Sequence, residues 1–326
     1  MSLLTERDQL VDELRRSEKL LLTTHENPDG DALGSLLGMH LILEQLGKDS
    51  LMFLAASQFP LPYEYQRMPL AEVRHELPAD VNERTVVFLD CGNIDRTPVS
   101  FLQGEHLHVL NIDHHHDNTR FGTVNLVVPE ASCAAEIVYG LAKELSAEIT
   151  PGLAEALYIG LVTDTGKFMF ENTTPESHTM AAELIEAGVG PQDVHRKLYE
   201  ELPYARLQLL ARALNNVHRC DDGAITLTHI QREDFAETGA TESDSEGIVD
   251  HMRQVEGTVM AALVRELLAK PGCRKVSLRS TDGRVDVSII ARGLGGGGHR
   301  QAAGFTTSLP FDELVERLRT EMAAQL

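Results

Sequence analysis

Positive charge is scarce in this sequence. Of its 326 residues, 29 are Lys or Arg and 50 are Asp or Glu, giving a formal net charge of −21 with histidine neutral. That balance argues against a sequence-independent grip on long duplex DNA, which needs a broad basic surface. A short oligonucleotide or a nucleotide stays compatible, because a few local cations or bound metals outweigh the global field at one site. Cysteine is also sparse: Cys91, Cys133, Cys220 and Cys273 are scattered with no C-x-x-C pair. This removes a zinc ribbon and a disulfide framework and fits a reducing cytoplasm. No apolar run approaches the length of a membrane span, and the N-terminal stretch, with Glu6, Asp8, Glu13, Arg15 and Arg16 on a helical pattern, does not read as a signal peptide. A cytoplasmic protein without membrane contact is expected. G-x-x-x-x-G-K-[ST] is missing, as is the strand-to-helix setting of G-x-G-x-x-G, so neither ATP nor NAD is indicated.

What the chain does contain is acid and imidazole at the ends of apolar runs. Leu20-Leu21-Leu22 reads as a buried strand emptying into His25-Glu26-Asn27-Pro28-Asp29-Gly30-Asp31, after which Leu33, Leu36, Leu37, Leu41 and Ile42 recur at helical spacing. His25, Asp29 and Asp31 therefore aim at one spot between a strand and a helix. Asp31 alone would be an ordinary cap. Like charges this close are costly, however, unless a cation sits between them. A strand near 50–54 follows; Thr85–Leu89 is a further buried run ending in Asp90, and His108–Ile112 ends in Asp113-His114-His115-His116. Helices are expected over 131–146 and 152–162, the second running into Thr163-Asp164-Thr165-Gly166. This alternation predicts an α/β domain with a doubly wound, mainly parallel sheet, whose carboxyl-end loops share one crevice. Asp95-Arg96 reads equally as a surface ion pair or as part of that crevice. Ser132 and Glu136 open a helix whose N-terminus is either a phosphate site or simply capped.

The second half reads differently. Residues 224–230, 259–264, 275–278 and 285–290 are expected strands, with helices near 232 and 246 and at the C-terminus, forming a smaller α/β domain. The expected division is 1–189 for the first domain, 190–218 for a helical linker and 219–326 for the second domain. A glycine-rich stretch, 293–304, precedes the final helix; its missing side chains let backbone N–H groups approach an anion, and Ala302-Ala303 reads as a helix start.

Oxygen-rich ligands with a few imidazoles suit Mn²⁺, Mg²⁺ or Co²⁺. So many ligands exceed what one open ion uses, whereas two divalent ions about 3.5–4 Å apart use them all. Taken together, His25-x-x-x-Asp29-x-Asp31, the strand-end Asp90, Asp113-His114-His115, Thr163-Asp164-Thr165-Gly166-x-Phe168 and the late Gly-Gly-Gly-His with Ala302-Ala303-Gly304 resemble the DHH/DHHA1 phosphoesterases, over nearly the whole chain. Within that superfamily the length and two-domain layout look like the NrnA-type nanoRNases, or oligoribonucleases, that also act as 3′-phosphoadenosine-5′-phosphate (pAp) phosphatases. The resemblance implies an active site in the cleft between the domains. It implies one metal on His25, Asp29 and Asp90 and a second on Asp31, Asp90, His114 and Asp164, with Mn²⁺ the expected ion. His115 would face the scissile phosphate, and Asp113 would orient a histidine. The third consecutive histidine, His116, departs from the family pattern; register with the buried strand favours His114 as the ligand. Gly296, Gly297, Gly298 and His299 would hold the substrate's terminal phosphate or nucleotide, with Arg279 and Ser280 nearby and Arg279 the expected anion clamp. The implied reaction is hydrolysis of short RNA oligonucleotides to mononucleotides and of pAp to AMP. Hydrolysis of cyclic di-adenylate or its linear dinucleotide, and nucleotide binding by a catalytically silent regulator, are the alternatives. A homodimer through the helical surfaces between 175 and 218 is left open.

Overall fold

The computed structural model describes residues 3–104, 106–200, 202–298 and 300–326. The chain divides into two compact units, 1–200 and 201–326. The stretch anticipated as a linker carries one helix in the first unit and one in the second.

The first unit begins with helix α1 (Leu3–Arg16), strand β1 (Lys19–Thr23), helix α2 (Gly30–Gln45) and strands β2 (Asp49–Met52), β3 (Thr85–Leu89), β4 (Val109–Asp113) and β5 (Val124–Val127). Helices α3 (Ala134–Glu144), α4 (Pro151–Asp164), α5 (Pro175–Glu186) and α6 (Pro191–Tyr199) follow. The sheet is parallel throughout, in the order β2-β1-β3-β4-β5. Period-two alternation sends Leu20, Leu22, Val87, Leu89, Leu110 and Ile112 into a core shared with α1 to α4, and Leu21, Val86 and Phe88 into a second core on the other face. Both faces are buried, which is why these strands read as continuous apolar runs. The second face is covered by irregular segments carrying Phe53, Val81, Leu102 and Leu107 rather than by α-helices. Strand order reverses between β1 and β3, so the loops after these two strands border the switch point where parallel α/β sheets bind ligands.

α2 and α4 are apolar on nearly all sides and are both buried, as such helices must be. Glycines let them cross closely. A Cβ added to Gly160 would lie 2.6 Å from the Ala135 Cβ and 2.9 Å from Asp31 Oδ1, and one added to Gly34 would overlap the Ala156 carbonyl. This contact seats the start of α2 against the end of α4.

The second unit runs α7 (Tyr204–Asn215), β6 (His218–Cys220), β7 (Ile225–Ile230), α8 (Arg232–Thr238), α9 (Ile248–Arg253), β8 (Met260–Glu266), β9 (Arg274–Ser280), α10 (Val287–Gly293), β10 (Gly297–Gly298), β11 (Ala302–Thr307) and α11 (Phe311–Ala323). Its sheet is mixed, in the order β10-β11-β9-β8-β7-β6. Two expectations are corrected here. Residues 285–290 are not a strand: Asp286 accepts the Ser288 N–H at 2.9 Å and caps α10, which buries Val287, Ile290 and Ala291 at helical spacing. The short run Val285 to Ile290 suits either period, and the cap decides it. Ala302-Ala303 starts strand β11 rather than a helix, paired with β9 on one side and β10 on the other. No described helix is long and apolar enough to cross a membrane.

Candidate metal centre

The loop after β1 delivers its groups through the start of α2. Asp29 is the N-cap of that helix, its Oδ1 accepting from the Asp31 and Ala32 N–H groups at 3.1 Å each. Asp31 turns the other way and is 1 % exposed. Its carboxylate accepts the Ala134 N–H at 2.6 Å and the Ala135 N–H at 2.9 Å. These are the first N–H groups of α3, so the positive end of that helix holds a carboxylate from this chain rather than a phosphate. Ser132 is not the cap; its hydroxyl donates to Glu136 at 2.6 Å.

Asp90 follows β3 in the left-handed backbone region, with φ of 54°, and is buried. Aspartate tolerates this conformation better than most residues, yet it costs energy, and the fold spends it on aiming one side chain. His25 Nε2 lies 3.5 Å from Asp90 Oδ2, and His114 Nε2 and His115 Nδ1 each lie 3.5 Å from Oδ1. His114 Nε2 also sits 3.9 Å from Asp31 and 3.7 Å from Asp164, which is the last residue of α4. The six residues expected as metal ligands are thus brought together as two overlapping sets: His25, Asp29 and Asp90, then Asp31, His114 and Asp164 with Asp90 alongside. His116 is exposed and belongs to neither set.

The outer contacts orient the ligand side chains. His25 Nδ1 lies 2.7 Å from the Glu26 carbonyl. Nδ1 thus lies between the Glu26 carbonyl and the Arg96 guanidinium, which leaves Nε2 as the ring nitrogen facing Asp90. His115 Nδ1 is 2.8 Å from Asp113 Oδ1, and Asp113 is also bonded by the Asn118 amide. Asn172 Nδ2 donates to Asp164 Oδ2 and to the Ser132 carbonyl, at 3.2 and 2.9 Å. Neither asparagine sits in a sequence pattern that marks it; both act through loops that only the fold brings near. Arg96 points its guanidinium at His25 Nδ1, 3.0 Å away, rather than pairing with Asp95.

The electrostatics describe a site short of positive charge. Burial pushes Asp31 well above the usual carboxylate range, and the Asp90 and Asp164 charges push it further. Burial likewise raises Asp164, to about 7. Asp90 moves the other way: burial opposes ionisation, but the His114 and His25 imidazoles outweigh it and hold the carboxyl below its usual range. Burial disfavours His114 as a cation, yet Asp90, Asp31 and Asp164 raise it to about 10. Its proton is doing part of what a cation would do. Asp90 Oδ1 is buried and accepts no hydrogen bond among the described residues. A buried carboxylate oxygen left unpaired in this way fits divalent-cation coordination, as does the mixed oxygen and imidazole donor set.

The second-unit candidates stand differently. Gly297 and Gly298 form β10 against β11, and a Cβ at Gly296 or Gly298 would strike the facing β11 backbone, so close backbone packing already requires these two glycines. Arg279 donates to Asp250 at 3.2 Å and to the Leu278 carbonyl at 3.1 Å. Ser280 is buried, with its hydroxyl on the Asp282 carbonyl at 2.8 Å. Both expected anion contacts are thus engaged within the unit. His299 lies outside the described residues.

A parallel α/β unit gathering acids and imidazoles at its switch point, followed by a mixed-sheet unit, is the arrangement of a metal-dependent phosphoesterase. The chain belongs to the DHH family: the DHH family N-terminal domain matches residues 19–161 and the DHHA1 domain matches residues 225–326. It is 34 % identical to the bifunctional oligoribonuclease and PAP phosphatase NrnA of Thermus thermophilus, over 98 % of this chain and 95 % of that one. It is 28 % identical to the Bacillus subtilis protein of the same description, over 91 % of each chain. Among solved structures, an exopolyphosphatase-related protein from Bacteroides fragilis shares the fold, with a TM-score of 0.88, 24 % identity and coverage of 98 % of this chain and 96 % of that one.

Proposed function

We propose that this protein hydrolyses short oligoribonucleotides to mononucleotides and pAp to AMP, using two divalent ions, Mn²⁺ foremost, held by His25, Asp29, Asp31, Asp90, His114 and Asp164. The observation that carries the reading is Asp90, buried between the two ligand sets with an unpaired oxygen. Its support is the full-length likeness to relatives named for these two activities. The ions, when bound, supply Lewis-acid charge to the phosphoryl oxygens and lower the pKa of water.

The chain's own groups do the rest. Asp31, locked by the N–H groups of α3, and Asp164, held by Asn172, keep their carboxylates in place without reorganising during turnover. His115 is the group we assign to the phosphate. Burial works against its protonation, but Asp113 and Asp90 raise its pKa, and Asp113 engages Nδ1, so Nε2 is the nitrogen we assign to the substrate. Nε2 donates to a phosphoryl oxygen and passes its proton to the leaving oxygen as the P–O bond breaks, while the water whose oxygen bonds to phosphorus gives up a proton to solvent and His115 is reprotonated from solvent. The acidic net charge disfavours a grip on long duplexes.

The experiment is hydrolysis by the purified protein with Mn²⁺, comparing 5′-phosphorylated diadenylate, pAp and cyclic di-adenylate. Cleavage of the linear dinucleotide and the bisphosphate supports the assignment; faster cleavage of the cyclic compound moves it to second-messenger turnover. Ligand binding without hydrolysis of any of the three would replace it with a nucleotide-binding regulator.

A further inference from the structure

His40 and Glu44 sit one turn apart near the C-terminal end of α2, His40 being about 13 Å along the helix axis from Asp31 at ~1.5 Å rise per residue. Glu72, from the segment between β2 and β3, comes to the same place. His40 Nε2 lies 3.7 Å from Glu44 Oε1 and 3.9 Å from Glu72 Oε2, with only 8 % of the imidazole exposed. His40 Nδ1 is 2.7 Å from the hydroxyl of Ser50, a buried residue of β2. With Nδ1–H donated to Ser50, the Nε2 lone pair faces the two carboxylates, which is the preparation seen in metal-ligating histidines. Among the described residues Nε2 makes no hydrogen bond, and neither glutamate pairs with a Lys or Arg.

The setting sharpens the imbalance. The last turn of α2 contains no basic residue, and Glu44 places a negative charge where the helix dipole disfavours one. Two carboxylates and the Nε2 of a nearly buried imidazole, all three ligand atoms within 4.8 Å of one another, lack a compensating Lys or Arg among the described residues. Ligands about 2.0–2.1 Å from a tetrahedral Zn²⁺ are roughly 3.4 Å apart. The two spacings from His40 to the glutamates exceed this by a few tenths of an ångström, which the exposed glutamate tips can close.

We propose that His40, Glu44 and Glu72 form a further divalent-cation site, separate from the metal centre, that takes an imidazole-accepting ion of the Zn²⁺ type and ties the C-terminal end of α2 to the chain segment before β3. The imidazole ligand selects against Mg²⁺ and Ca²⁺. The three protein ligands leave a fourth position for water, and the Ser50 contact holds the imidazole ready.

The test is metal content after chelator stripping, reloading with Zn²⁺ and desalting, for wild type, Glu72→Gln and Glu44→Gln/Glu72→Gln. The Glu72 side chain is 80 % exposed, so the single variant keeps the fold intact. Wild type is expected to hold one equivalent more than the double variant, and Glu72→Gln to bind that equivalent at least tenfold more weakly, with Mn²⁺-dependent hydrolysis unchanged. The difference between chains is read whatever the metal centre itself holds. Equal Zn²⁺ content in wild type and both variants overturns the proposal.

Discussion

Asp164→Asn separates what the metal centre does to stability from what it does to chemistry. The Asp164 carboxyl, 3.8 in an unfolded chain, is raised to about 7 by burial first and by neighbouring carboxylates. Between those values the folded protein binds a proton that the unfolded chain has lost, so stability falls as pH rises from about 4 to above 7. The full shift corresponds to roughly 4 kcal/mol at 1.36 kcal/mol per unit. Because 26 % of the side chain is exposed, solvent screening reduces this, and we expect about 2 kcal/mol. Asparagine is nearly isosteric, and its oxygen still accepts from Asn172. At pH 8 the metal-free variant should therefore be more stable than metal-free wild type by about 2 kcal/mol, with no difference near pH 4. Added Mn²⁺ should reverse the order, because only wild type keeps the ligand. Urea unfolding by circular dichroism suits a chain without tryptophan, and the relevant transition is the one that Mn²⁺ moves. A metal-free Asp164→Asn protein no more stable than wild type at pH 8 would refute the account of crowded, uncompensated charge.

Asp90→Ala removes the side chain common to both ligand sets and should abolish binding of both ions, measured as metal equivalents after desalting; two retained equivalents would exclude a bridging role. Gly160→Ala places a methyl group 2.6 Å from the Ala135 Cβ and 2.9 Å from Asp31 Oδ1, and should cost about 1–3 kcal/mol of thermal stability while lowering kcat through Asp31. Cation binding must displace the His114 proton, and below about 7 the Asp164 proton too, so the apparent Mn²⁺ affinity should fall with falling pH. The expected slope is roughly tenfold per pH unit for each proton displaced. A flat titration between pH 6 and 8 would contradict the raised values.

The first unit's parallel α/β alternation and the identity of its acids and imidazoles were readable from residue order alone. Runs such as Val86 to Leu89 are buried on both faces, and continuous apolarity is how such strands are written. Asp90 was legible for a related reason: it follows an apolar strand directly, and His25, Asp29 and Asp164 lie within a few residues of an apolar run, where a strand or helix hands the chain to the site. Short segments were not legible. Val285 to Ile290 fits period two and period 3.6 alike, and the Asp286 cap that makes it helical competes with nothing visible in the run itself. What the α3 N-terminus binds was settled by packing, because Asp31 reaches Ala134 and Ala135 through a glycine-mediated approach of α2 and α4 that no local pattern encodes. The same holds for Asn172 on Asp164, Arg96 on His25, and the meeting of Glu72 with His40 and Glu44. Periodicity and residue type act over a few residues and so can be read in order; pairing between distant segments depends on shape and packing, which exist only once the chain has folded.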